Sequence, residues 1–253
     1  MYLDDGVCNG ARLLPADWVA SASSVQIDNP QRDQPDWAQG YGFQLWMSRH
    51  GYRGDGAFGQ YMVVLPEFRT VIALFSCTED MQPVLDLMWK HLLPAMGSPD
   101  TAAKRPTSAD LALASRLTDL ALPAVTQRLG GGPVRLDPTV GPLLPAPTGA
   151  RSHRTVQSIQ VGPTGDRLIL REGDGFVLDV RLSPGWSSTA DTSFASSATT
   201  LPDGRVAVDL VLLETPHRLE IVLDPTAQTF TTRWPAVPLF SGDALLSSMR
   251  APA

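Results

Sequence analysis

Apolar residues in this chain recur with two different periods, and the change of period divides it into regions. Residues 60–65 and 70–76 are β-branched, apolar runs joined by Pro66-Glu67-Phe68-Arg69, a pattern that predicts an antiparallel hairpin. Met81, Val84, Leu85, Met88, Leu92 and Ala95 then follow helical spacing. The helix they predict has Thr78 or Asp80 as its cap, with Glu79 and Asp80 near the positive end of its dipole. Leu87 and Trp89 fall off that stripe, so the helix is expected to be covered on more than one side. Upstream, residues 14–19 open as a helix with Pro15 in the first turn, where its missing N–H does no harm. Residues 40–49 are aromatic-rich and strand-like.

Past residue 96 the pattern weakens. Leu111, Ala114, Leu117, Leu120 and Ala121 share one face of a short amphipathic helix over residues 109–122. Residues 130–150 hold five glycines and five prolines, which predicts a linker or an extended strap. From residue 151 the chain reads as all-β, with strand-length runs at 156–161, 167–171, 176–182, 206–213, 218–223 and 229–234. Gly162-Pro163-Thr164-Gly165-Asp166, Gly173-Asp174-Gly175, Pro202-Asp203-Gly204 and Asp224-Pro225 supply turns between them. Close spacing of short strands suggests a meander, a sandwich or a small barrel. The expected class is α+β. A partial antiparallel sheet with flanking helices occupies residues 1–96, a Pro/Gly-rich connector 97–150, and an all-β meander or barrel-like domain 151–253.

Composition narrows the function classes. The 253 residues suffice for one large or two ordinary domains, and 43% hydrophobic with 18% charged residues marks a globular chain. A net charge of −6 argues against a surface that tracks phosphates, so nucleic acid is not an expected partner. No apolar run approaches the roughly 18 residues that span a bilayer. The acidic start, Met1-Tyr2-Leu3-Asp4-Asp5, shows no secretory signal, which favours the cytoplasm if Met1 is the genuine start. Cys8 and Cys77 form no CxxC and read as reduced, partly buried thiols.

Most motifs for chemistry fail on context. Gly54-Asp55-Gly56-Ala57-Phe58-Gly59 is a formal GxGxxG, but a strand closed by Pro66 follows it where a dinucleotide site needs a helix. A kinase glycine loop needs a lysine on the next strand, and Val71-Ile72-Ala73-Leu74 has none. His50, His91, His153 and His217 are scattered, so neither a metal nor another cofactor is expected. No GxSxG occurs. Lys90 and Lys104, the only lysines, follow Leu87 and Thr101 by three residues, so no SxxK exists. Asn9 and Asn29, the only asparagines, do not complete a YxN.

A resemblance is carried by the order of short motifs. Asn9-Gly10-Ala11-Arg12-Leu13-Leu14-Pro15-Ala16-Asp17-Trp18-Val19 resembles the helix-opening stretch late in β-lactamase-like serine hydrolases, a superfamily of class C β-lactamases, penicillin-binding proteins and related esterases. Tyr41-Gly42-Phe43-Gln44-Leu45-Trp46 resembles the strand leading to that family's third active-site motif, and residues 56–67 the Gly-Phe-Gly strand after it. Residues 71–76 and the helix to Met96 are similar to the last strand and C-terminal helix of the fold, and residues 151–253 to the β domain that trails some members. Members open acyl bonds with a serine and a lysine on one helix and a tyrosine on a separate loop; backbone N–H groups form the oxyanion hole. The third motif, commonly Lys-Thr-Gly or His-x-Gly, falls here on His50-Gly51-Tyr52 or on Gly51-Tyr52-Arg53. The resemblance implies an oxyanion-facing N–H near Gly54, with His50, Arg53, Asp55 and Gly56 along the cleft and its oxyanion strand. It also implies that the SxxK helix and the tyrosine loop precede residue 1, leaving the chain inactive alone. Its expected partners are the N-terminal half of the hydrolase or further copies of itself, and a small acyl substrate once completed. Two alternatives are an interaction protein docking through an open sheet edge and a small-ligand-binding β domain.

Overall fold

Alternation along β5 (Gln60–Leu65) sends Tyr61, Val63 and Leu65 to one face of a sheet and Met62 and Val64 to the other. The computed structural model describes residues 1–97, 106–146, 149, 152–188, 193–239 and 243–249. They form two compact units, residues 1–115 and 116–253. Mixed helices and sheets make the chain α+β.

In the first unit, β1 (Val7–Cys8) and β2 (Ala11–Arg12) pair as a small ribbon before α1 (Ala16–Ala22). The main sheet has the order β3 (Trp46–Met47), β4 (Tyr52–Gly56), β5, β6 (Thr70–Leu74), antiparallel throughout. Tyr61, Val63 and Leu65 pack with Leu85, Met88 and Trp89 of the following helix, and Val64 joins Ala22, Leu45, Met47 and Tyr52 on the opposite face. Gly51, between β3 and β4, has φ +63°, and a Cβ there would lie 2.0 Å from the Val64 carbonyl oxygen, so only glycine fits.

Several expectations shift locally. Pro15 is the N-cap of α1 and precedes its first turn. The strand-like run 40–49 reduces to Trp46–Met47, because Gly42 N–H bonds back to the Leu45 carbonyl (2.7 Å) and Gln44 takes φ 62°, closing a turn. Gly54 and Gly56 lie within β4, and the bend proper is Ala57-Phe58-Gly59, where Phe58 and Gly59 have positive φ. The helix α2 (Gln82–Leu87) is capped at Met81 without any side-chain bond, not at Thr78 or Asp80. It continues as a π-helical stretch, Met88–Leu92. That wider turn changes the phase of the inward face: Trp89 is buried, while Leu87 and Leu92 are exposed. Cys8 and Cys77 are not joined in a disulfide, and both are exposed rather than partly buried.

The second unit shows the expected β richness but no closed barrel among the described residues. β8 (Val156–Val161), β9 (Arg167–Glu172) and β10 (Val177–Arg181) form one antiparallel sheet. The other has six strands in the order β11 (Ser187–Ser188), β12 (Phe194–Thr200), β13 (Val206–Leu212), β14 (Arg218–Asp224), β15 (Thr229–Arg233), β7 (Leu144–Pro145). Leu168, Leu170 and Val180 of the first sheet share one core with Phe194, Leu210 and Ile221 of the second.

Two stretches differ in character within the connector expected over residues 97–150. α3 (Ser108–Thr118) has no buried residue, and its leucines are exposed. By contrast Ala124, Val125, Val134, Leu136 and Leu143 are buried, and β7 pairs in parallel with β15. Glycine and proline preclude a ladder of regular hydrogen bonds, but they do not stop the apolar residues between them from packing as a strap. α4 (Val125–Leu129) is part of that strap.

Candidate functional site

Residues 28–40 carry no periodic pattern, yet they deliver a side chain that organises the first unit. The Asp36 carboxylate is fully buried and accepts from the Arg49 backbone N–H (2.9 Å), Arg49 Nε (3.1 Å) and Nη2 (2.7 Å), Gln82 Nε2 (2.7 Å) and Trp89 Nε1 (3.0 Å). Burial pushes its pKa up, but the bonds from Arg49, Gln82 and Trp89 together outweigh burial and hold it below the ordinary aspartate range. A depressed folded-state pKa gives stability that is present above the unfolded value of about 4 and is lost as pH falls through the folded value. Wild type should therefore exceed Asp36→Asn in urea midpoint at neutral pH by a margin that shrinks below about pH 4. Midpoints measured across pH check this, and a margin that does not change with pH contradicts it.

Arg53 sits beneath the same loop, wholly buried. Its Nη1 donates to the carbonyl oxygens of Asp36 (2.9 Å) and Met47 (3.2 Å) and to Ser48 Oγ (2.5 Å). Nε and Nη2 donate to Asp55 Oδ2 at 3.2 and 3.1 Å. The guanidinium carbon lies over Trp37, 4.3 Å from the ring centroid. Alternation along β4 is what places Arg53 and Asp55 on one side of the sheet, with Tyr61 opposite Asp55. Burial pushes the Asp55 carboxyl above its ordinary range against the pull of Arg53, and it lowers Arg53 against the pull of Asp55.

A cleft of about 770 Å³ opens beside this cluster. Asp55, Gly56 and Ala57 form its strand wall, Trp37 and Trp46 its aromatic wall, and residues 31–34, Glu79 and Met81 complete it. β3 pairs with β4 only at Trp46↔Arg53 and Met47↔Tyr52. Past Arg53, the side of β4 away from β5 therefore meets no strand among the described residues, so Gly54-Asp55-Gly56 is an open edge. An open edge presents alternate backbone N–H and C=O groups to whatever lies beside it.

Of the residues expected along a cleft, Asp55 and Gly56 line it. Arg53 stands behind it. Gly54 lies opposite Met62 in the ladder, with ordinary space for a Cβ. His50 packs edge-on against Trp89 at 5.1 Å, away from the lining. Asp36, Arg49, Trp37 and Gln82 belong to no motif in the sequence, and the fold alone brings them together.

A second polar cluster lies in the other unit. Thr155 Oγ1 is 2.6 Å from His153 Nε2 and donates to Glu172 Oε1, which also lies 3.4 Å from that same imidazole nitrogen. In a nucleophilic relay the carboxylate holds one ring nitrogen while the hydroxyl meets the other. Here both contend for Nε2, and the His153 and Glu172 side chains are buried. Glu172 instead accepts from the Leu246 and Ser247 backbone N–H groups (3.1 and 3.2 Å), tying down residues 246–249. No helix is long and apolar enough to cross a membrane, and no group of three or more His, Cys, Asp or Glu suited to a metal occurs, among the described residues. Comparison with family models, curated proteins and solved structures finds no match to this chain.

Proposed function

We propose that the first unit is one wall of an acyl-transfer pocket, the C-terminal part of a β-lactamase-like serine hydrolase whose nucleophile and base lie outside this chain. The observation that carries this reading is the unpaired edge Gly54-Asp55-Gly56 set against the cleft. Acyl transfer needs rigid donors aimed at a developing oxyanion, and N–H groups on a sheet strand are fixed in advance by the ladder on their other side. Here β5 supplies that ladder. The chain itself has no Ser-x-x-Lys, and a serine without a neighbouring base is a poor nucleophile. A fluorophosphonate reagent should therefore leave the chain alone unlabelled. It should label a Ser-x-x-Lys serine when this chain is joined to, or bound by, a polypeptide carrying that motif. Stoichiometric labelling of a serine within residues 1–253 would refute the proposal.

A second reading, docking without catalysis, draws on the other end of the sheet. β6 has no strand beyond it among the described residues, and Met62, Val71 and Phe75 are exposed, Phe75 at 86%. An edge of this kind invites strand addition. The isolated chain should bind an apolar dye and self-associate with rising concentration, and Val71→Lys should reduce both. A monomer by light scattering that binds no dye would remove this reading.

A further inference from the structure

The charge and walls of the cleft say what kind of group it accepts. Its lining carries three carboxylates, Asp33, Asp55 and Glu79, against one guanidinium, Arg32. Both indoles that form the aromatic wall already hold a cation: Arg53 lies 4.3 Å from the Trp37 centroid, and Arg32 lies 5.7 Å from that of Trp46. Those faces are already taken, so what Trp37 and Trp46 offer the cleft is apolar indole surface. Asp55 is held rigidly at the wall, because both bonds from Arg53 converge on its Oδ2. Burial disfavours the Asp55 carboxylate even with Arg53 beside it, so a further cation arriving from the cleft would favour the ionised form. An anion entering the same space finds Arg32 on the lining but meets Asp33 and Glu79, with Asp55 already paired to Arg53 behind the wall.

We infer that this cleft binds an ammonium-bearing organic molecule, its cationic head against the Asp55 and Glu79 wall and its apolar body against Trp37 and Trp46. As a statement about a substrate, this rests on the acyl-transfer reading and names an acyl compound with an amine near the scissile carbonyl. As a statement about binding, it rests on the cleft alone. The two are separable because binding needs no nucleophile.

The test uses the full chain and three probes of similar shape: phenethylammonium, 2-phenylethanol and 3-phenylpropionate, titrated by calorimetry and by indole emission. Phenethylammonium should bind about tenfold more tightly than the neutral alcohol, with the carboxylate weakest. Asp55→Asn and, separately, Glu79→Gln should each reduce the preference for the ammonium several-fold. The second variant leaves the Arg53–Asp55 pair intact, so it remains informative if Asp55→Asn fails to fold. Equal affinity for all three probes, preference for the carboxylate, absence of saturable ammonium binding, or an unchanged preference in Glu79→Gln would each overturn the inference. If the ammonium binds as expected but no completed form labels with fluorophosphonate, the hydrolase reading falls and the cation site stands.

Discussion

Asp36→Ala should destabilise the first unit by about 3–5 kcal/mol, enough to remove much of the stability of an ordinary domain. Five donors converge on that carboxylate, from Arg49, Gln82 and Trp89. The Arg49 side chain is 37% exposed and keeps Asp86 as a partner, so it recovers part of what it loses through water. Gln82 and Trp89 are buried; Gln82 Nε2 keeps its bond to Asp86 (3.0 Å) but one of its N–H groups, like that of Trp89, would lose its acceptor inside the protein. A buried donor left unsatisfied costs about 1–3 kcal/mol, and two such donors with a broken ion pair account for the expected total. The loss should propagate, because the Asp36 backbone carbonyl also accepts from Arg53, which positions Asp55 on the cleft wall. Four of the six tryptophans, Trp18, Trp37, Trp46 and Trp89, lie in this unit, so urea titration followed by indole emission reports its unfolding. A shift equivalent to less than about 1 kcal/mol would show that the loop's packing, not the carboxylate, holds the site together.

In the second unit the largest effect is expected at Trp234, whose side chain is fully buried just past the end of β15. His153 meets the ring edge-on at 5.0 Å, and His217 does so at 6.0 Å. Trp234→Ala should cost about 3–5 kcal/mol by transfer and cavity terms together. His153 stands next to the cluster that ties down residues 246–249 through Glu172, so protease sensitivity near the C-terminus should rise with it. Trp186→Ala is the control, since that residue is only partly buried and makes one bond, Nε1 to the Leu122 carbonyl. Thermal unfolding followed by circular dichroism compares the two; equal midpoints would contradict this account of the core.

What was legible in the chain followed from period and punctuation. The hairpin of β5 and β6 was readable because β-branched residues alternate about a proline turn, and these strands bury Tyr61, Val63 and Leu65. β12 was not readable. Its sequence, Phe-Ala-Ser-Ser-Ala-Thr-Thr, has no apolar alternation, yet Ser196, Ser197 and Thr199 are buried. Their hydroxyls are matched one by one: Ser197 accepts from Val125 N–H, Thr199 donates to the Gly130 carbonyl, and Ser196 donates to that of Arg181. Such matching is a tertiary property, invisible until α4 and the strap are in place. The same holds at the site. Glycine spacing located β4 and the bend after it, but Asp36 lies 46 residues from Gln82 and 53 from Trp89, and no local pattern announces those bonds. The β4 alternation that pairs Arg53 with Asp55 is masked by the glycines at 51, 54 and 56, which break the run of strand-forming side chains.

On the proposed acyl-transfer reading, the Gly54–Gly56 edge is where an acyl group's oxygen is held. The direct measurement is a structure of the fluorophosphonate adduct formed when this chain is completed by a polypeptide carrying Ser-x-x-Lys. The account expects the phosphonyl oxygen about 3 Å from a backbone N–H within residues 54–56, with the rest of the adduct in the cleft beside Trp37 and Trp46. An adduct whose oxygen is held by donors elsewhere, with the β4 edge empty or paired to another strand, would contradict it.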